Sequence, residues 1–225
     1  MTTSVAAAPD RTGSAPIGRW VLVLVVAVAV AVVCGVIASS GDVPGWEEAV
    51  FHAVNDLPDR LEGAMWLFQL AGLLLVPLGI AVVAAVLRRW RLALALVCLV
   101  PLKLVVEKLV VKQLVERQRP GTSICGGPEG LDPTCAHFRG DVPLDGLSFV
   151  SGHAIVAWGV ATILWPVLPR RWRWVPVAVA TVNAVARVYL GAHNPLDVVG
   201  GAAIGVALGV LLVLAFRPEL DRRPS

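Results

Sequence analysis

An unbroken run of eighteen apolar residues, VLVLVVAVAVAVVCGVIA at positions 21–38, constrains this chain more than any other feature. Crossing the hydrocarbon core of a bilayer takes about 20 residues of α-helix. An α-helix also satisfies its own backbone hydrogen bonds there without a partner segment. Further apolar stretches follow at 62–87, 92–112, 153–169, 174–190 and 196–216. Four of the six are clean, and the third and fifth carry charges. With 57% hydrophobic and 16% charged residues, the chain is too apolar to cover a soluble domain of this size with polar side chains. The sequence therefore predicts an all-α, six-transmembrane helical bundle forming one membrane domain over 18–216. Residues 1–17, small, polar and Pro-containing, read as a disordered tail, and 217–225 as a second short tail.

The basic residues orient this bundle. Arg11 and Arg19 precede the first span, RRWR (88–91) follows the second, RRWR (170–173) follows the fourth, and Arg217, Arg222 and Arg223 follow the sixth. Short connections rich in Arg lie on the cytoplasmic side, so both termini are expected there. Trp90, Trp165, Trp172 and Trp174 sit beside these clusters, where an interfacial aromatic belt would place them. The net charge of +3 thus reports topology, and no nucleic-acid partner is expected. The first span exceeds the 7–15 apolar residues usual in a cleaved signal peptide, so it reads as a retained signal anchor.

Two segments fall on the outer side. In 45–63, Val50, Phe51, Val54 and Leu57 recur at helical spacing between carboxylates. That pattern fits a short amphipathic helix on the outer membrane surface, or equally an ordinary surface helix-turn. The longer loop, 120–150, exceeds the length at which structureless connections are usually functional. Nine residues separate its Cys125 and Cys135, which leaves a disulfide open on an oxidising side. Only His137 is near them, so a metal site is disfavoured. His52 and His137 read as solvated, and Cys34 and Cys98 as small apolar residues inside spans.

Ionisable groups inside or at the ends of spans are costly and so mark function. KLVVEKLVVKQLVERQRP (103–120) contains every lysine of the chain. Lys112 and Arg119, two helical turns apart, would share one face about 10 Å apart along the axis, with Arg117 on another side. Lys103–Glu107 and Lys112–Glu116 are the intrahelical pairs that would make the charges merely structural; this reading suits the first pair better than the second. In LSFVSGHAIVAWG (147–159), Ser151 is a natural N-cap. Gly152 lets an anion approach the backbone at the positive end of the helix dipole, and His153 follows in the first turn. In ARVYLGAHNPLDVVGG (186–201), Asn194 and Pro195 predict a helix start. Asp197 stands four residues after His193, where its carboxylate could accept the imidazole Nδ1–H and leave Nε2 nucleophilic. Gly200, Gly201 and Gly205 give the spacing of close helix packing, within the chain or in a homodimer.

Lys-x6-Arg-Pro (112–120), Ser-Gly-His (151–153) and Arg-x5-His-x3-Asp (187–197) occur in that order, all at the outer ends of spans. Together they resemble the type 2 phosphatidic acid phosphatase (PAP2) superfamily, related to the vanadium haloperoxidases. Val150 stands where the family usually has Pro, and Ala186 where it usually has Ser; neither change removes a reactive group. The resemblance implies a metal-independent membrane phosphatase acting on a lipid phosphate or diphosphate without a cofactor. His193 would form a phosphohistidine, Asp197 orient it and His153 protonate the leaving oxygen. Lys112, Arg119, Arg187, Ser151 and Gly152 would hold the phosphate. An isoprenoid diphosphate leads as substrate, ahead of a polyprenyl-linked sugar phosphate, phosphatidic acid or phosphatidylglycerol phosphate. The different-class reading is a protein that binds or transports lipid phosphates without hydrolysing them. A haloperoxidase is expected to be soluble, which six spans oppose.

Overall fold

The computed structural model describes residues 17–126, 132 and 134–221. Of the expected tail at 1–17, all but Ile17, which opens the first helix, falls outside these described residues, as do Arg222 and Arg223. Ten α-helical elements are named among them: α1 (Ile17–Ala38), α2 (Gly45–Asn55), α3 (Glu62–Gln69), α4 (Leu75–Val86), α5 (Trp90–Leu104), α6 (Lys112–Leu114), α7 (Pro120–Ser123), α8 (Gly152–Leu164), α9 (Trp174–Tyr189) and α10 (Pro195–Phe216). A π-helical segment, Val105–Val111, joins α5 to α6. No strand forms among the described residues, and their isolated bridge pairs Gln118 with Leu147.

By length and composition, α1 and α10 can cross a membrane. A third span is added if Asp59–Gly72 and Leu75–Val86, bent by 61°, count as one. The apolar stretch at 62–87 is thus broken where the sequence expects a single helix. The break coincides with a close approach: a Cβ on Gly72 would lie 2.5 Å from Cβ of His153, so this turn packs directly on α8. α8 also ends earlier than its apolar stretch, at Leu164, shortly before Pro166 and Pro169. Proline disfavours helix in the residue before it.

α10 packs between α1 and α8, and α9 lies against α8. The α10–α8 contact brings backbones together. Cβ atoms added at Gly201, Gly205 and Gly209 would lie 2.6 Å from Ser151 O, 2.5 Å from Ile155 O and 2.6 Å from Thr162 Cβ. Small residues at this spacing let helices approach without a layer of side chains. α1 is different: only Ala27, Cys34 and Ala38 are buried, and its other apolar residues remain for lipid.

The segment read as an outer amphipathic helix is α2, but its buried stripe is Glu47, Phe51 and Asn55. Val50 is exposed, and Val54 and Leu57 are only half-buried. Asn55 explains part of the difference. Its amide accepts from His137 N–H (2.7 Å) and donates to His137 O (2.8 Å), tying α2 to the long loop. Buried Arg139 reinforces the tie, donating to Asn55 O at 2.7 Å and Tyr189 O at 2.8 Å. Cys125 and Cys135 are joined in a disulfide with Cα atoms 5.6 Å apart.

Candidate active site

The turn between α9 and α10 reverses at Gly191, whose φ of +76° favours glycine. Asn194 is the N-cap of α10, Pro195 its first residue and Asp197 its third. Asn194 N–H donates to Asp197 Oδ2 at 2.8 Å, the side-chain-to-cap half of a capping box. Ser148 Oγ donates to the same oxygen and stands 3.3 Å from His193 Nδ1. His193 Nδ1 itself lies 3.6 Å from Asp197 Oδ2, beyond hydrogen-bond distance. The direct imidazole–carboxylate bond read from the spacing is therefore replaced by a contact with Ser148 between the two. The reason is local. α10 begins at Pro195, so His193 lies outside the helix and the i,i+4 geometry does not apply to it.

Lys112 and Arg119 do not share a helical face. The helix stops at Leu114 and Val115 is extended (φ −127°, ψ 94°). Arg119 is extended as well (φ −71°, ψ 162°), as the residue before a proline is biased to be. The 115–119 strip pairs with the strip before α8: Ser148 N–H donates to Arg117 O at 2.7 Å and Arg119 N–H to Gly146 O at 3.1 Å. Arg119 Nη1 donates to Ala192 O at 2.7 Å, next to His193. Arg117, expected to point elsewhere, is fully buried at the same site. It donates to Glu47 at 3.0 and 2.6 Å and lies 3.6 Å from Asp197 Oδ1. Glu47 Oε1 also accepts Leu196 N–H at 2.8 Å.

Ser151 is the N-cap of α8, but its side chain caps nothing. Its N–H donates to Asp197 O at 2.9 Å, and its buried Oγ has no hydrogen-bond partner. Gly152 lets the Glu107–Lys103 pair approach the backbone: a Cβ would lie 2.6 and 2.8 Å from the Glu107 carboxylate oxygens and 2.8 Å from Lys103 Nζ, so both side-chain ends would have to shift. The Lys103–Glu107 pair forms as expected, at 2.5 Å. Lys112, however, pairs with Glu107 at 3.0 Å and not with Glu116. His153 and Arg187 line a cavity of about 270 Å³ with Trp66, Gln69, Asp141 and Val142. Arg187 is 5% exposed; it donates to the Gln69 side-chain oxygen, and its buried Nε has no partner. Val150 and Ala186, the two departures from the family pattern, are both fully buried, and Val150 belongs to the apolar core.

Burial is the main force on the His193 imidazole, and the cations of Arg187, Arg119 and Lys112 add to it. Together they push its pKa well below the usual histidine value, so at neutral pH the ring is uncharged. The structure therefore gathers three cations, two histidines, a free buried hydroxyl and the N-terminus of α8 at one end of the bundle. Glu47, Gln69 and Ser148 belong to this cluster and were not singled out in the sequence, and Arg117 belongs to it although its spacing placed it on another side. Glu47 carried a signal, since it shares the i, i+4, i+8 stripe with Phe51 and Asn55. Arg117 and Ser148 enter through loop geometry that no periodicity announces, and Gln69 enters from the last turn of α3.

An apolar helical bundle that buries cations around an uncharged histidine defines a membrane protein equipped to bind an oxyanion. The sequence profile of the PAP2 superfamily matches residues 88–220, more than half of the chain. The chain belongs to this superfamily, and it is a membrane phosphatase of the PAP2 type. Two solved structures share its fold. One is LpxE of Aquifex aeolicus, with TM-score 0.60 and 21% identity, covering 74% of this chain and 93% of that one. The other is the transmembrane PAP2-type phosphatidylglycerolphosphate phosphatase of Bacillus subtilis, with TM-score 0.63 and 20% identity, covering 83% and 93% respectively. No curated protein sequence matches the chain.

Proposed function

We propose that this protein is a metal-independent lipid phosphate or diphosphate phosphatase working through a phosphohistidine at the outer membrane face. The observation that carries the reading is buried His193, with Arg119 bonded to the adjoining Ala192 O and the cations of Arg187 and Lys112 within electrostatic reach. His193 attacks phosphorus through Nε2 while the bond to the leaving oxygen breaks, and His153 gives that oxygen a proton. Asp197, acting through Ser148 and the α10 cap, holds the imidazole and balances the positive charge that it gains. Lys112, Arg119, Arg187, the Ser151 hydroxyl and the Gly152 N–H take the non-bridging oxygens. Ser151 Oγ and Arg187 Nε, each buried without a partner, support that assignment. Water then cleaves the phosphorus–nitrogen bond and releases inorganic phosphate. Phosphoryl transfer needs mainly positioning and charge stabilisation, and three cations with a helix N-terminus supply both.

The membrane arrangement belongs to the same proposal: six spans, both termini cytoplasmic, and the histidines at the outer ends. An isoprenoid diphosphate is the favoured substrate, ahead of a polyprenyl-linked sugar phosphate, phosphatidic acid or phosphatidylglycerol phosphate. The test is phosphate release in detergent with EDTA present, wild type beside His193→Ala, on one lipid of each class. Metal-free release that vanishes in the variant is expected. Wild-type protein that binds the lipids but releases no phosphate would overturn hydrolysis in favour of binding or transport.

A further inference from the structure

We infer that Glu107 is a positioning residue that fixes Lys112 against the first turn of α8, an assignment that rests on the phosphatase reading above. Glu107 is 5% exposed and lies between two of the chain's three lysines, 2.5 Å from Lys103 Nζ and 3.0 Å from Lys112 Nζ. Lys112 follows Glu107 by five positions. In an α-helix of 3.6 residues per turn that spacing points the two side chains to different sides. The π-helical segment Val105–Val111 changes the register, because its i→i+5 repeat brings residues five apart onto one face. Such segments are rare and concentrate at functional sites. Here it has a definite product, the Glu107–Lys112 contact.

The location completes the case. The carboxylate lies beneath Gly152, so close that a Cβ on Gly152 would come within 2.6 Å of it. Lys112 is thereby held beside the N-terminus of α8. An ammonium has three donors; one meets Glu107, and two remain for phosphate oxygens. Lys103 neutralises the carboxylate, so Lys103, Glu107 and Lys112 together keep one positive charge. Without Lys103, the carboxylate would offset the cation that it positions.

A double-mutant cycle tests this through binding of inorganic phosphate, its Kd read from 31P line broadening with the full chain in detergent. Glu107→Gln should raise the Kd about tenfold in the wild-type background, an interaction of about 1.4 kcal/mol, within the range seen between contacting residues. In a Lys112→Met background the same change should move the Kd less than about twofold, because the residue it acts through is gone. An equal effect in both backgrounds, or none in the first, overturns the assignment. Glu107→Asp keeps the charge but withdraws the carboxylate by one methylene. It gives the same readout should the amide variant fail to fold, with a rise in Kd expected in the first background and none in the second. If instead wild-type protein neither hydrolyses a lipid phosphate nor binds inorganic phosphate, the phosphatase reading itself has failed.

Discussion

Arg117→Met is the substitution with the largest expected effect on stability. The guanidinium is fully buried, bonded to Glu47 at 3.0 and 2.6 Å and 3.6 Å from Asp197. Glu47 and Asp197 are themselves fully buried. Removing the cation leaves two carboxylates without their shared counter-charge in a region shielded from solvent. Breaking a buried ion pair from one side costs about 3–5 kcal/mol. For a domain of about 200 residues, each kcal/mol moves Tm by roughly 2–4 °C. The variant should therefore melt about 6–20 °C below wild type in detergent. Glu47→Gln combined with Arg117→Met should melt above Arg117→Met alone, since one stranded carboxylate is gone. Arg117→Lys should recover part of the loss, because it restores charge without the two-pronged donor geometry. Melting of Arg117→Met within about 2 °C of wild type would refute the idea that this cation neutralises the floor of the site. Equal melting of the single and double variants would refute the pairing with Glu47.

Three further outcomes follow from the same geometry. Gly205→Val should destabilise the bundle by about 1–3 kcal/mol or more through overpacking, since its Cβ would start 2.5 Å from Ile155 O; unchanged melting would mean that α8 and α10 are not in backbone contact. Ser148→Ala removes the hydroxyl between His193 and Asp197, and loss of a hydrogen bond to a charged group predicts a rate lower by about 10- to 100-fold, measured as lipid phosphate hydrolysis; near-normal turnover would show that Asp197 acts without it. The depressed pKa of His193 means that the folded protein refuses a proton which the unfolded chain takes up near about 6.5. Its contribution to stability is present above that pH and is lost progressively as pH falls through it. Histidine NMR should accordingly find, among the imidazoles still neutral at pH 6, one that is absent from His193→Ala, and a resonance assigned to His193 by that variant titrating at or above about 6.5 would contradict the burial.

The sequence by itself determined the class of protein and the motifs from which its chemistry is proposed. Charge-free runs such as 21–38 leave an apolar helical bundle as the outcome, because backbone polarity in lipid must be satisfied within each segment. Lys112, Arg119, Ser151, Gly152, His153, Arg187, His193 and Asp197 could be proposed as a set, since motif spacing is a property of the chain. Gly201 and Gly205 were legible as packing residues for the same reason. Tertiary structure decided how these groups meet. Lys112 turns toward Glu107 because a π-helical register replaces the α-helical one, and no hydrophobic period in 103–112 announces that change. Arg117 turns inward because 115–119 is extended against 146–148, a pairing between segments about 30 residues apart. Ser148 separates His193 from Asp197 because α10 starts two residues after the histidine. The helix at 62–87 is broken where Gly72 packs against α8. Each of these depends on contacts between distant segments, which local spacing does not encode.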